Sequence, residues 1–100
     1  MILINSLEDI DQAVSENDFV LLFVGDSACS TSRALDNKIE DFSKKNPKVK
    51  VLFTLLEALP ALASKHMIFV APAVILFHQG KEIYREGRFV DFDILENFLI

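Results

Sequence analysis

The sequence predicts an α/β protein, a three-layer α/β/α sandwich around a mixed sheet with its elements in the order βαβαβαββα. Three observations carry this. Apolar runs of strand length alternate with segments of helical periodicity through the first two thirds of the chain, which favours parallel strands crossed by helices. Two later strand-like runs meet across a short turn containing glycine, which adds an antiparallel hairpin and makes the sheet mixed. Of the 100 residues 51% are apolar, enough for one well-buried core without metal or disulfide staples, so residues 1–100 are expected to form one domain.

Each element has its own signal. Met1 to Ile4 is a short apolar strand, and Ser6 follows as an N-cap with Asp9 in the first turn and Leu7, Ile10 and Val14 at helical spacing. Asp18 to Gly25 is a continuous branched and aromatic run, the pattern of a central strand covered on both faces. From Ser30 to Lys45, Leu35, Ile39 and Phe42 recur at helical spacing. Glu40 and Asp41 each precede a lysine by four residues, Lys44 and Lys45 suit the negative end of the helix dipole, and Asn46-Pro47 stops the helix. Val49 to Leu55 is a third strand, and Pro60 can open a short helix reaching about His66. Ala73–Phe77 and Glu82–Tyr84 pair across His78-Gln79-Gly80-Lys81, and Asp91 starts a closing helix that turns Ile94, Leu95, Phe98 and Leu99 inward.

Composition excludes several roles. Fifteen acidic against ten basic residues give a net charge of −5, with the cations scattered, so nucleic acid is not expected as a partner. No apolar run approaches the roughly 18 residues of a membrane span, and the N-terminus has neither a basic region nor a cleavage site of a signal peptide, so a soluble, cytoplasmic protein is expected. The only cysteine, Cys29, cannot close an intrachain disulfide, and redox chemistry must therefore use a second molecule's sulfur.

The strand FVLLFVG, the turn DSACSTSR leading into a helix, and the segment FVAPAVILFHQG occur in an order and spacing that resemble the thioredoxin family over nearly the whole chain. The resemblance implies a thioredoxin-like fold. That family's Cys-x-x-Cys turn is matched by Cys29-Ser30-Thr31-Ser32, so the resolving thiol is replaced by a hydroxyl. It further implies that Pro72 is the cis-proline beside the thiol, with Ala71 offering its backbone to a bound peptide. The sequence departs from the family at three further places. Phe23 stands where a buried aspartate is usual, Phe53 where its lysine partner is usual, and Ala28 replaces the tryptophan before the cysteine.

At the N-terminus of a helix, Cys29 would meet unsatisfied amides and the positive end of the dipole, which favour thiolate. Ser32 can donate to that thiolate and Arg33 adds positive charge, whereas Asp26 would oppose ionisation if it points inward. Serine cannot resolve a mixed disulfide, so release needs an outside thiol such as glutathione. The expected chemistry is thus that of a monothiol disulfide oxidoreductase, forming mixed disulfides between Cys29 and a client protein or a small thiol, with Val70, Ala71 and Pro72 against the client and no cofactor. Two readings stay open beside it. A lone cysteine also serves as a small buried hydrophobe. A redox-inert module could instead hold an extended peptide in a groove at Phe69, Val70, Ala71 and Pro72.

Other residues are expected to be structural. His66 ends a helix and His78 lies in a turn, without the spacing of a metal site, and the lysines from Lys44 to Lys50 form a solvated helix end. Phe19, Phe23, Phe42, Phe53, Phe77 and Phe98 fall on core-facing runs, and Phe69 stands apart. Cys-x-x-Ser turns also occur in glutaredoxins, but no glycine pair follows the hairpin to support glutathione binding, which leaves an iron–sulfur role remote. The sequence does not set the oligomeric state.

Overall fold

The computed structural model describes the chain except residues 28, 29 and 88, with residues 30–34 described by backbone alone. Its elements are β1 (Ile2–Leu3), α1 (Leu7–Glu16), β2 (Phe19–Gly25), α2 (Ser30–Lys45), β3 (Val49–Leu55), a single 3-10 turn (Leu56–Ala58), α3 (Leu62–His66), β4 (Ala73–His78), β5 (Lys81–Glu86) and α4 (Phe92–Asn97). The order is the one expected, and the expected α/β sandwich is present.

The five strands lie in the order β1-β3-β2-β4-β5. β1 and β2 run parallel to β3, and β4 runs antiparallel to β2 and β5. β2 is the middle strand, as its unbroken apolar run requires, because its side chains point alternately to two faces that are both covered. Val20, Leu21, Leu22, Phe23 and Val24 are all fully buried, each contributing about 1.5–3 kcal/mol of burial.

The two faces form separate apolar layers. On one, Ile10 and Ala13 of α1 and Leu62 of α3 pack on Val20, Leu22, Val24, Leu52 and Ile75. On the other, Leu35, Ile39 and Phe42 of α2 and Leu95 and Leu99 at α4 pack on Leu21, Phe23, Val51, Val74 and Leu76.

The helix ends follow the local chemistry. Ser6 Oγ accepts from Asp9 N at 3.2 Å, and Asp91 Oδ1 accepts from Asp93 N and Ile94 N at 3.0 and 3.2 Å. Both caps are those expected.

Four details differ from the sequence expectation. α3 starts at Leu62, and Pro60 lies in the turn before it, with Pro60 O accepting from Ala63 N at 3.1 Å. β4 runs on to His78 and β5 spans Lys81–Glu86, so His78 and Lys81 pair as strand residues instead of lying in the turn, and the two strands show a register shift at Leu76/Phe77. Ile94 and Phe98 do not turn inward and are 42% and 40% exposed. Successive helical positions differ by about 100°, so a six-residue helix that buries the Leu95–Leu99 stripe leaves the neighbouring Ile94–Phe98 stripe outside. Phe98 instead rests on the Tyr84 ring, centroids 5.9 Å apart. The hairpin turn, finally, has two residues with positive φ, the glycine that the sequence made available for it, Gly80 at 85°, and Gln79 at 49°. This twist matches that of the flanking strands.

Among the described residues no helix is long and apolar enough to cross a membrane.

Candidate functional site

The site is built at one end of the sheet. Parallel pairing aligns the last residues of β2 and β3, Gly25 with Leu55, and antiparallel pairing sets Val24 against Ala73, the first residue of β4. The turn after β2, the turn after β3 and Pro72 before β4 therefore meet at the same edge, and α2 begins three residues after Ser27. Cys29 lies outside the described residues. Ser32 lies in the first turn of α2, with its side chain outside the description.

The turn that precedes Cys29 in sequence is tied down. Ser27 donates its backbone N–H to Glu57 Oε1 at 3.2 Å and its hydroxyl to Oε2 at 2.7 Å. These bonds favour the carboxylate and hold the Glu57 pKa below its ordinary 4.5, the hydroxyl bond being the larger cause. Nothing in the motif reading singled out Glu57. The signal lies in the register, since Ser27 and Glu57 each stand two residues beyond the paired strand ends Gly25 and Leu55.

Phe23 and Phe53 pair directly across β2 and β3, with ring centroids 5.5 Å apart and planes tilted by 36°. The two rings meet, as the sequence implied. With Gly25, Asp26, Ser27, Asp36 and Leu55 they line a cavity of about 80 Å³. Asp36 Oδ1 is buried without a hydrogen-bond partner among the described residues.

The Ala71–Pro72 bond is cis. Pro72 is buried, Ala71 is half-buried, and Val70 and Phe69 stand 72% and 68% exposed. Behind them a cleft of about 350 Å³ is lined by Met67, Phe69, Val70, Pro72, Arg85 and Gly87 among others. Met67 and Phe89 are also exposed, at 69% and 84%, and the sequence reading had not singled out either of them. Met67, Phe69 and Val70 line the same cleft, and large apolar side chains that face water together mark a surface available to a partner.

His66 is the last residue of α3. Its ring packs edge-on against Phe77, centroids 6.0 Å apart, with Nε2 buried and without a hydrogen-bond partner among the described residues. Among the described residues no group of three or more histidine, cysteine or carboxylate side chains is placed to hold a metal ion.

No family model matches the chain. The thioredoxin-like protein YdfQ of Bacillus subtilis is 25% identical to it over 96 residues, covering 96% of this chain and 86% of that protein. Among solved structures, a thioredoxin of Fasciola hepatica superposes with a TM-score of 0.87 at 19% identity, covering 99% of this chain and 97% of that one. A point mutant of a Halobacterium salinarum thioredoxin gives 0.87 at 22% identity, covering 97% and 85%. A Plasmodium falciparum thioredoxin gives 0.85 at 15% identity, covering 99% and 96%. By its superposition on these solved neighbours the chain has the thioredoxin fold, and its sequence is similar to that of a thioredoxin-like protein.

Proposed function

We propose that this thioredoxin-like chain carries out monothiol thiol–disulfide exchange or thiol capture through Cys29, contributing to cell redox homeostasis. The thiolate of Cys29 attacks one sulfur of a disulfide, a new S–S bond forms, and the departing sulfur leaves as a thiolate that takes up a proton. An outside thiolate such as that of glutathione then attacks the mixed disulfide and returns Cys29 to its thiolate. Ser32 donates to the Cys29 sulfur, and Val70, Ala71 and Pro72 hold an extended client segment. Because a lone cysteine needs no oxidising compartment, the reading suits the cytoplasm.

The observation that carries this reading is the convergence, on a thioredoxin fold, of the start of α2 and the exposed Phe69–Val70 loop at one sheet end. The chain places its only cysteine immediately before that helix. Alkylation of Cys29 at pH 7, set against a free cysteine, tests it. Faster alkylation and a mixed disulfide on Cys29 detected by mass spectrometry support the reading, and a rate no faster than the free thiol rejects it.

A second reading, a redox-inert peptide-binding module, is favoured by the Phe23–Phe53 ring pair, which puts two apolar side chains where the family keeps a charged pair. Cys29→Ser separates the two. A binding module keeps its partner in that variant, and a thiol enzyme loses its mixed disulfides.

A further inference from the structure

The carbonyls just before Phe69 and Val70 are tied to β5 by the Arg85 side chain. Arg85 on β5 donates from Nη1 to Met67 O at 3.1 Å and from Nη2 to His66 O at 2.7 Å. The same guanidinium grips Glu82, Nε to Oε2 at 2.9 Å and Nη2 to Oε1 at 2.8 Å. Glu82 thus fixes the fork, and the fork fixes the two carbonyls.

Those carbonyls end α3. His66 is its last residue, and Met67 is its cap in the left-handed region at φ 56° and ψ 41°. Carbonyls at a helix C-terminus lack intrahelical donors and carry the negative end of the dipole, so a cation there satisfies both needs. The chain then sinks Ile68 into the core at 2% exposure, lifts Phe69 and Val70 into solvent, and returns at the buried Pro72. Arg85 also lines the cleft that these residues face.

We propose that Arg85 is the positioning residue for client recognition, setting the height and angle at which Phe69 and Val70 meet an extended apolar segment. The proposal rests on the client-binding half of the function proposed above. A guanidinium can hold two carbonyls and a carboxylate in one plane, and an ammonium cannot.

The test compares Arg85→Met and Arg85→Lys with the wild type. The probe is a fluorescently labelled eight-residue peptide with leucines flanking a central serine, read by anisotropy, and the unfolding midpoint is measured in parallel. The serine keeps binding independent of thiol chemistry, and the wild-type Cys29 alkylation rate decides the exchange reading separately. The Met variant is expected to bind about tenfold more weakly, as a small misplacement of a docking group costs. The Lys variant keeps the charge pair with Glu82 and most of the midpoint, yet loses most of the affinity. Affinity that tracks the unfolding midpoint across both variants, affinity unchanged in both, or a wild type that does not bind the peptide would each overturn the proposal. If the Met variant does not fold, the Lys variant and Glu82→Gln, which loosens the fork, carry the same comparison.

Discussion

Ser27 gives Glu57 both of its donors, so a carboxylate on the turn after β3 holds the turn after β2 by two hydrogen bonds. Because the Glu57 pKa is lowered in the folded chain, the folded state binds that proton less readily than the unfolded state. Stability is therefore present above the ordinary value of 4.5 and is lost as pH falls through the lowered folded value. Denaturant midpoints taken from pH 7 down to pH 3 are expected to show this component in the wild type and to lack it in Glu57→Gln. Both carboxylate and turn are exposed, so the effect is small. Parallel acid limbs in the two proteins would reject the link.

His66 titrates with the opposite group type and the same slope. Burial of its ring pushes its pKa below the ordinary 6.5, with Lys65 and Arg85 adding to the effect while Asp11 and Glu82 oppose it. The unfolded chain then takes up the proton first, so stability declines as pH drops below 6.5 and the loss saturates beneath the lowered folded value. His66→Gln is expected to flatten the stability profile between pH 7 and pH 5, above the range where Glu57 acts. A profile as steep as that of the wild type would assign the slope to other groups.

The Phe23–Phe53 pair makes a packing prediction. Phe23 is fully buried, and truncation to Ala is expected to cost about 3–5 kcal/mol. Phe53 is only partly buried, so its truncation costs less. Across a double-mutant cycle the two should couple by about 0.5–1.5 kcal/mol, the worth of an aromatic contact beyond its area. Phe23→Asp puts an unpaired carboxylate between the sheet and α2 and is expected to destabilise more than Phe23→Leu. A denaturation series that ranks Asp above Leu would contradict this.

The order of elements, the central place of β2 and both side-chain caps were legible because each has a local cause, a period or a cap, whereas the cis bond at Pro72 was expected only through the resemblance to the thioredoxin family. The Ile94 and Phe98 error has a different source. A helical stripe shows which residues share a face, but the length of helix that reaches the sheet decides how many stripes are buried, and that is tertiary. Glu57 and Arg85 escaped for a related reason. Their partners, Ser27 and the His66–Met67 carbonyls, are 30, 19 and 18 residues away in sequence, and two of the acceptors are backbone atoms that no side-chain motif announces.

Gln79 occupies a left-handed backbone position, φ 49°, beside Gly80 in the β4–β5 turn. A side chain with a tetrahedral Cγ pays for that conformation, and asparagine tolerates it better because its short amide bonds locally. Gln79→Asn creates the Asn-Gly pair favoured in such turns and is expected to stabilise the chain by about 0.5–1 kcal/mol. The Gln79 N–H bond to Asp18 O, 2.8 Å, is a backbone bond and survives the change. An equilibrium urea series decides it, and a neutral or lowered midpoint would show that the turn bears no cost at this residue.

Ile68 and Phe69 are neighbours with opposite exposures, 2% and 68%, and their substitutions separate folding from recognition. Ile68→Ala removes a core anchor and is expected to cost about 2–5 kcal/mol, because the layer between α1, α3 and the sheet cannot close over the gap. Phe69→Ser removes an aromatic side chain that packs on little of its own chain, so stability should stay within about 0.5 kcal/mol. If the exposed loop receives a client, the same change takes away a central apolar anchor, and affinity for an extended leucine-containing peptide should fall about tenfold. Calorimetry of the peptide with both variants and the wild type makes the comparison. Phe69→Ser with wild-type affinity would remove this loop from the client site, and Phe69→Ser with a collapsed unfolding midpoint would show that the ring serves the fold.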